Sequence, residues 1–514
     1  MAMQALLMLG LASHAFAAPV SDAVLSLPGW PGQLPTRHYS GYLEASSTKK
    51  LHYYMVQSAG DVSKDPVVLW FNGGPGCSSL DGFLYEHGPF RVEYDGSGNA
   101  KLNKFDYAWN QLATMVYIEA PVGVGFSYSS AADTLADYAC DDDTAALDNV
   151  AAVESLFKKF PEFSKHDLFI TGESYAGIYV PTLAEAILQK GDNYTGAPLK
   201  GIAVGNGCSG DEIGICAFGK NTQGRSYTTK YFLSSGFIPD SLKADVDSAC
   251  DWSAFSKGLA ISPACDAKVS QVEALTELLD TYCVYCECPV TSNAANEAFL
   301  DSKAGGQMLL SEKLGTTPCV NTFEASAWLN NPDVRKAIHV EPANVENWQV
   351  CGSADGWTYK STRPNLPRDT YPLLVSKISV LIYNGDFDAC VPYTDNEAWT
   401  RSMGYNITKD WHPWVYQDGA YKQIGGAAPG LRSPAYVRRR LRDVVRRARR
   451  VVYVYDGARR PPRGPRDGAG PRLRDAAALP LRRGVLRVRH SQLAALGQRR
   501  STAPLYIIRF CSKK

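Results

Sequence analysis

The sequence predicts a doubly wound α/β fold, with a mostly parallel sheet and an inserted, disulfide-rich and mainly helical cap. Three observations support this prediction. Several short runs of β-branched residues are apolar on both faces, as strands buried in a parallel sheet are. Most of these runs end in Gly-rich turns. Helical patterns lie between them, which is the alternation expected of strands joined by crossover helices.

Five such runs are the predicted strands of the sheet, and two longer patterns are predicted helices. The strand runs are 67–71, 115–118, 168–171, 202–204 and 380–383. The helical patterns cover 145–159 and 179–189, where apolar residues recur at helical spacing.

A region of about 211–318 interrupts this alternation. It has few strand-like runs and contains the cysteines from Cys216 through Cys288, so we interpret it as the cap. The cap divides the α/β core into residues 18–210 and 319–430. The spacing of Cys283, Cys286 and Cys288 is compatible with zinc, but no His lies nearby to complete a metal set, and disulfides are favoured.

Composition and targeting signals place the protein in the secretory pathway. The chain has 514 residues, 45% hydrophobic and 20% charged, which excludes disordered, collagenous and fibrous proteins. Residues 1–17 resemble a secretory signal peptide, and thirteen cysteines agree with an oxidising compartment. Glycosylation sequons begin at Asn193 and Asn406. No later run reaches the ~20 apolar residues of a membrane span. We expect a secreted, vacuolar or lysosomal protein.

The charge is divided very unevenly along the chain. Residues 431–514 contain 22 Arg and 2 Lys against 4 Asp, a net charge of +20, whereas residues 1–430 carry −19. Such a basic segment suits nucleic acid or a membrane surface. The tail, however, lacks aromatic-interleaved binding motifs, and a secreted protein has little reason to bind either partner. Arg, Ala, Gly and Pro dominate the tail, so we interpret it as a frameshift or a missed splice junction. A further strand at 451–455 is compatible with the sequence.

Ser174 is the candidate nucleophile. It lies in Gly172-Glu173-Ser174-Tyr175-Ala176-Gly177, between a predicted strand and a predicted helix. A nucleophile elbow needs this strand–turn–helix context, because a sharp turn tolerates only small neighbours. The strict pattern has Gly where this chain has Ala176, which is still small.

A Gly-rich turn after an earlier strand is the candidate oxyanion loop. Asn72-Gly73-Gly74-Pro75-Gly76 follows the run 67–71, and we assign the oxyanion N–H groups to Gly74 and Tyr175. A phosphate-binding loop is set aside, because no Lys-Ser/Thr pair follows and Pro75 lacks a donor.

These motifs resemble the serine carboxypeptidase family. The matching segments are 70–79, 119–128, 172–177, 331–339 and 385–388, in the family's order between about 30 and 425. The resemblance implies an α/β-hydrolase fold and removal of C-terminal residues from peptides. It makes Ser174 the nucleophile and Asp388 the triad acid, with Asp386 as the competitor. It also implies a disulfide between Cys77 and Cys351.

The resemblance further implies how a chain end is recognised. The family binds the free α-carboxylate with residues that correspond here to Asn72, Gly73, Glu86 and Glu173. Two carboxyls in contact cannot both ionise at low cost, so one keeps its proton and donates a hydrogen bond to the substrate carboxylate. We therefore expect activity favoured at acid pH. We expect no metal or other cofactor, because proton transfer generates the nucleophile. The expected partners are peptide or protein C-termini, and homodimer formation is left open.

The general base is missing from its expected place. In this fold the His follows the acid, in a Gly-His-x-Val-Pro type loop, and the sequence after Asp388 has no such loop. His412 comes too early and in a different motif, and His490 has no matching surroundings. Two rival interpretations therefore stay open. One is an acyltransferase built on the same triad, and the other is a catalytically inert binding protein.

Overall fold

A computed structural model describes most of the chain up to residue 431. It covers residues 19–94, 100–217, 221–277, 279–285, 323–340, 347–352, 354–418, 421–431 and 450–455. The strands in these residues are β1 Ala23–Val24, β2 His38–Glu44, β3 Lys49–Val56, β4 Val67–Phe71, β5 Phe90–Tyr94, β6 Ala100–Lys104, β7 Thr114–Ile118, β8 Tyr128–Ser129, β9 Ala139–Asp141, β10 Leu168–Glu173, β11 Leu199–Gly205, β12 Thr358–Lys360, β13 Ser379–Gly385, β14 Ile407–Asp418, β15 Tyr421–Leu431 and β16 Arg450–Tyr455.

The helices of the described residues fall before, between and after the central strands. They are α1 Leu135–Tyr138, α2 Asp142–Lys159, α3 Ala176–Lys190, α4 Gln223–Ser234, α5 Asp240–Ala249, α6 Trp252–Phe255, α7 Pro263–Thr276, α8 Phe323–Leu329, α9 Pro332–Ala337, α10 Leu366–Asp369, α11 Tyr371–Lys377 and α12 Tyr393–Ser402. A single π-helical turn, Gly82–Glu86, follows the first Gly-rich loop.

The predicted parallel sheet is confirmed. The large sheet has the order β1-β2-β3-β7-β4-β10-β11-β13-β16-β15-β14, with β8 paired to β3. The five strands in its middle, β7, β4, β10, β11 and β13, are mutually parallel, and each contains one of the five predicted runs. The carboxyl ends of all five strands therefore meet at one edge of the sheet, where α/β folds place their active sites.

Burial on both faces explains why these segments form central strands. In β4, Val67, Leu69 and Phe71 pack into one hydrophobic core, whereas Val68 and Trp70 pack into the core on the opposite face. Strand β7 alternates in the same way. Because successive strand residues point to opposite faces, a run that is apolar throughout is stable only between two cores.

Helices α2 and α3 begin earlier than their apolar patterns indicate. The expected start of α2 was residue 145, but Asp141 forms an N-cap, and its carboxylate accepts a 2.7 Å hydrogen bond from Thr144 N. This cap adds three residues at the start of the helix. Helix α3 starts at Ala176, directly after the Ser174–Tyr175 turn.

Helices α4 to α7 form a separate core within the region interpreted as the cap. Phe232, Val246, Val269 and Val272 pack in a third hydrophobic cluster, and a disulfide joins Cys250 to Cys265. A second disulfide joins Cys208 to Cys216. Cys283 is also disulfide-bonded, so its thiolate is not available to zinc. Cys286, Cys288 and the remainder of 286–318 lie outside the described residues.

Three strands extend the sheet beyond β13. Strand β16, which contains the run at 451–455, pairs antiparallel with β13, and β14 and β15 form an antiparallel hairpin. The rest of the 431–514 tail and the signal at 1–17 lie outside the described residues. Among the helices that are described, none has the length and apolar character needed to cross a membrane.

Asp395 provides a test of the packing between α12 and the chain that follows β11. Its side chain is 1% exposed, and Oδ2 accepts a 2.9 Å hydrogen bond from Ile215 N. Burial raises the pKa of Asp395 from 3.8 to about 7, against the opposing effect of that hydrogen bond. The folded protein thus holds a proton that the unfolded chain releases near pH 3.8. The resulting stability is fully present below that pH and is lost as pH rises through about 7.

We expect Asp395→Asn to reduce this loss of stability toward neutral pH. From about pH 4 to pH 8, the unsubstituted protein should lose up to about 4 kcal/mol more unfolding free energy than the variant. This follows because one pKa unit is worth about 1.4 kcal/mol. Urea unfolding at both pH values measures the difference. The exposed Asp240, in the first turn of α5, provides the control Asp240→Asn, whose pH dependence should match the unsubstituted protein. Parallel pH curves for Asp395→Asn and the unsubstituted protein would contradict the assignment.

Candidate active site

Ser174 occupies a strained turn at the carboxyl end of β10. Its φ is 59°, in the left-handed region that non-Gly residues rarely adopt. Backbone hydrogen bonds hold this conformation: Ser174 N donates to Gly205 O at 3.1 Å, and Ser174 O accepts from Gly177 N and Cys208 N, both at 2.9 Å. Strain of this kind persists only where the surroundings enforce it, and it is concentrated at functional sites.

The small residues around Ser174 are required by close packing. A Cβ on Gly172 would lie 2.5 Å from Phe71 O, and a Cβ on Gly177 would lie 2.4 Å from Cys208 O. No side chain fits at either position without moving backbone. Ala176, where the strict pattern has Gly, is fully buried as the first residue of α3.

The Gly-rich loop after β4 lies directly against the elbow. A Cβ on Gly73 would meet Tyr175 N at 2.3 Å and Ser174 Cβ at 2.8 Å, so only Gly allows this approach. Gly74 has a φ of 115°, a left-handed conformation that favours Gly. The structure therefore brings Gly74 and Tyr175, the predicted oxyanion donors, into neighbouring segments.

A buried carboxylate anchors the far end of this loop. Oε1 of Glu119 accepts hydrogen bonds from Ser78 Oγ and, at 2.8 Å, from Trp348 Nε1; Oε2 accepts one from Phe126 N at 3.0 Å. His52 Nδ1 lies 2.8 Å from the same Oε2. Next to Ser78, the disulfide Cys77–Cys351 is present, which ties the loop to the 347–352 segment. The sequence motif contains Glu119, but its role as an anchor depends on contacts from four separate segments.

A second buried carboxylate holds the side chain of Tyr175. Asp142 Oδ1 accepts hydrogen bonds from Tyr175 Oη at 2.9 Å and Tyr359 Oη at 2.8 Å. Its Oδ2 accepts from Thr362 N at 2.6 Å and Arg363 N at 3.0 Å. Burial nevertheless raises the pKa of Asp142, because desolvation outweighs these bonds. The side chain of Tyr175, the residue after Ser174, is thus held by a buried carboxylate.

Asn72 lies at the centre of a group of carboxyls beside the elbow. Its Oδ1 accepts hydrogen bonds from Trp70 Nε1 at 2.7 Å and Gly82 N at 3.2 Å, which orients the amide. Its Nδ2 then donates to Glu86 Oε1 at 3.2 Å and to Glu173 Oε1 at 3.3 Å. The predicted residues Asn72, Glu86 and Glu173 are therefore in direct contact.

Asp81 is a member of this group that the sequence interpretation missed. Asn72 Nδ2 also donates to Asp81 Oδ2 at 3.4 Å, and carboxylate oxygens of Asp81, Glu86 and Glu173 all lie within 4.8 Å of one another. Asp81 is 9% exposed. In the sequence, the available signal was an acidic residue just before an apolar segment. Three carboxyls this close are a possible ligand set for a cation. The Asn72 amide, however, directs hydrogens at the same oxygens, which suits proton sharing and anion binding better.

Asp388 follows β13, two strands away from the strand that carries Ser174. Its Oδ1 accepts a hydrogen bond from Cys390 N at 2.8 Å and its Oδ2 accepts one from Val391 N at 3.3 Å. Asp386, the competitor, is exposed, and its backbone oxygen accepts a 2.8 Å hydrogen bond from Tyr231 Oη. Two backbone N–H groups therefore orient the carboxylate of Asp388.

The histidines whose side chains are described are each engaged elsewhere. His38 contacts Tyr54 Oη, His52 contacts Glu119, His87 contacts Tyr117 Oη, and His166 and His339 contact the backbone oxygens of Asp65 and Ala23. His412 lies within β14, paired with Ala428, rather than in a loop. His490 lies outside the described residues. Asn193 and Asn406, the first residues of the two sequons, are both exposed.

Comparison with known protein families shows what this chain is similar to. The family model described as serine carboxypeptidase matches residues 28–434. Serine carboxypeptidase-like 21 of Arabidopsis thaliana is 35% identical over 452 residues, which cover 80% of this chain and 88% of that protein. The lysosomal protective protein of Mus musculus is 35% identical over 453 residues, which cover 82% of this chain and 89% of that protein.

A solved structure agrees with the fold. The prohormone-processing carboxypeptidase Kex1(delta)p from Saccharomyces cerevisiae superposes with a TM-score of 0.57, covering 85% of this chain and 92% of that one. The sequence identity is 21%, so this likeness supports the architecture alone.

Proposed function

Because this chain belongs to the serine carboxypeptidase family, we propose that it releases C-terminal residues from peptides through an acyl-enzyme on Ser174. One observation carries the proposal. The strained Ser174 directly follows Glu173. Asn72 Nδ2 donates to Glu173 Oε1 at 3.3 Å, within the cluster of three carboxyl side chains described above. A nucleophile therefore lies one residue from a site suited to a free chain end.

The chemical steps follow from the elbow geometry. Ser174 Oγ attacks the carbonyl carbon of the last peptide bond, and its proton passes to a histidine base. The N–H groups of Gly74 and Tyr175 stabilise the oxyanion, where one such donor typically lowers the barrier by ~3 kcal/mol. The C–N bond breaks, and the departing amine takes the proton from the base. Water then hydrolyses the ester, and Asp388 orients the base throughout.

Recognition of the chain end uses the cluster of carboxyl side chains around Asn72. Asn72 Nδ2 and a protonated carboxyl of Glu86 or Glu173 donate hydrogen bonds to the α-carboxylate of the substrate. Gly73 brings this group close to the elbow because it has no side chain. Three carboxyls so close together retain at least one proton in acid, and they repel the substrate once that proton is lost. Activity is therefore favoured at acid pH.

The histidine base is the one part of this mechanism that has no recognisable loop in the sequence after Asp388. The family match ends at residue 434, close to where the basic composition begins at 431, which supports a change of reading frame there. Sequencing the transcript across codons 420–440 distinguishes a shifted reading frame from a genuine basic tail. A restored frame would reveal a Gly-His-x-Val-Pro loop, whereas an unchanged frame would leave His490 as the late candidate.

The experiment that tests the function compares a blocked dipeptide with a free carboxylate and the same dipeptide as its C-terminal amide. We expect hydrolysis of the acid at acid pH, with KM rising as pH increases, and little hydrolysis of the amide. Glu173→Gln should flatten that alkaline rise in KM, because it replaces one carboxyl of the cluster around Asn72 with an uncharged amide. Steady-state kinetics from about pH 4 to pH 8 measure both effects.

Two controls make this test specific. Glu162→Gln, on an exposed carboxyl of the segment before β10, should keep the pH profile of KM. An identical profile for Glu173→Gln and the unsubstituted enzyme would remove Glu173 from carboxylate recognition. Transfer from a sugar-ester donor to an acceptor, with no hydrolysis of the dipeptide, would favour the acyltransferase instead.

The cellular location is proposed on the same grounds. A relative named lysosomal protective protein supports a lysosomal, vacuolar or secreted location, and the exposed Asn193 and Asn406 are proposed glycosylation sites. A homodimer stays a prediction that a size measurement in solution would test.

A further inference from the structure

Asn206 shares the strained backbone conformation of the nucleophile. Only three non-Gly residues in the described chain have positive φ, namely Ser174, Asn206 and His339. Asn206 has a φ of 41° and directly follows β11, the strand between those that carry Ser174 and Asp388. Strain at this place calls for an explanation, because a Gly would adopt the same conformation at lower cost.

The side chain of Asn206 uses its hydrogen-bonding capacity on one loop. Its Oδ1 accepts a 2.7 Å hydrogen bond from Gly385 N, and its Nδ2 donates to Gly385 O at 3.2 Å and to Val391 O at 3.1 Å. Both ends of the 385–391 loop are thus held by a single carboxamide. No other side chain of this length offers two donors and an acceptor together.

The loop that Asn206 holds carries the triad acid. Asp388 lies inside it, and Val391, whose oxygen accepts from Asn206, donates its own N–H to Asp388 Oδ2. The neighbours of Asn206 contact the nucleophile, since Gly205 O accepts from Ser174 N and Cys208 N donates to Ser174 O. One short segment therefore contacts both Ser174 and the loop of Asp388.

We propose that Asn206 is a positioning residue that clamps the 385–391 loop to the end of β11 and so sets the place of the Asp388 carboxylate relative to Ser174. The inference rests on the proposed function for its catalytic consequence. The alternative is a purely local role, in which Asn206 merely tolerates a left-handed turn. The two roles predict different behaviour of Gly at this position.

The test uses Asn206→Gly, which keeps the left-handed backbone but removes all three side-chain hydrogen bonds. Under the clamp, amide hydrogen exchange in 385–391 should rise by about tenfold or more as the loop opens locally. We expect kcat for the blocked dipeptide to fall by about 10²-fold, because a small misplacement of a catalytic group has effects of this size. KM should change by less than about threefold, because Asn206 does not contact the cluster of carboxyl side chains proposed to bind the substrate.

Two further single variants and one double variant protect the test against misinterpretation. Asn206→Asp keeps the acceptor and the turn preference but removes both donors, and it should show the same loss of kcat. His339→Gly relieves the third left-handed residue, whose Nε2 donates a 3.1 Å hydrogen bond to Ala23 O, and it should leave exchange in 385–391 unchanged. In an Asp388→Asn background, Asn206→Gly should lower kcat by less than about a further threefold, because both changes act through one carboxylate.

The outcomes separate the clamp from the proposed function. If Asn206→Gly retains full kcat and unchanged exchange in 385–391, the turn role is sufficient and the clamp is wrong. An equal loss of kcat with and without Asp388 would also overturn it, because the effect would not pass through the acid. If the unsubstituted protein hydrolyses no peptide, the proposed function has failed, and the exchange measurement alone decides whether Asn206 holds the loop.

Discussion

Replacing Ser174 with alanine is expected to lower kcat for a blocked dipeptide by about 10⁴–10⁶-fold, because the hydroxyl that forms the acyl-enzyme is removed. The fold should survive, since the conformation of the turn is held by backbone bonds from Gly177 and Cys208 to Ser174 O rather than by the hydroxyl. An active-site fluorophosphonate should label the unsubstituted enzyme once per chain and should not label Ser174→Ala. Mass spectrometry of the labelled peptide identifies the site.

The control for this experiment is a serine outside the elbow. Ser164 donates its hydroxyl to Pro161 O in the turn before β10, and Ser164→Ala should keep both labelling and hydrolysis. Labelling of another serine would move the nucleophile. No labelling of the unsubstituted chain would favour the inert binding protein, in which Ser174 lacks a base.

Replacing Asp388 with asparagine is the second large effect that we expect, with a loss of about 10⁴-fold in kcat. Asparagine keeps the shape of the side chain but loses the charge that stabilises the imidazolium, and one of its terminal groups becomes a donor. That donor would face Cys390 N or Val391 N, which now donate to the carboxylate. Steady-state kinetics at the acid pH proposed to favour activity measure the loss.

Asp386 offers a matched control two residues earlier in the same loop. It is exposed, and its backbone oxygen accepts a 2.8 Å hydrogen bond from Tyr231 Oη. Asp386→Asn should therefore keep kcat within about threefold of the unsubstituted enzyme, as surface substitutions usually do. A large loss in Asp386→Asn with little change in Asp388→Asn would transfer the role of the triad acid to Asp386.

The central strands were predictable because their signal is local. A run such as 67–71 is apolar at every position, and only a strand between two cores buries all five side chains. The elbow was predictable for a similar reason, since the small residues around Ser174 are adjacent in sequence. The starts of α2 and α3 were less accurate, because a cap such as Asp141 contributes a hydrogen bond rather than an apolar residue.

The supports of the site were not predictable in the same way. Asp81 joins Glu86 and Glu173 only because a π-helical turn and the end of β10 meet at Asn72, and Asn72 and Glu173 are 101 residues apart. Asn206 reaches Gly385 across 179 residues. No periodicity in the sequence records such contacts, because they depend on which strands become neighbours in the sheet.

The sequence by itself determined the class of the fold and the family, and it singled out Ser174 as the candidate nucleophile, since apolar runs, small residues at a tight turn and contiguous motifs are properties of short segments. Only the tertiary structure decided that three carboxyls surround Asn72, that two backbone amides donate to the carboxylate of Asp388, and that Asn206 hydrogen-bonds both ends of the 385–391 loop. The physical reason is that hydrogen bonds and shared protons act over a few ångströms in space, and the order of strands in the sheet sets which distant residues come that close.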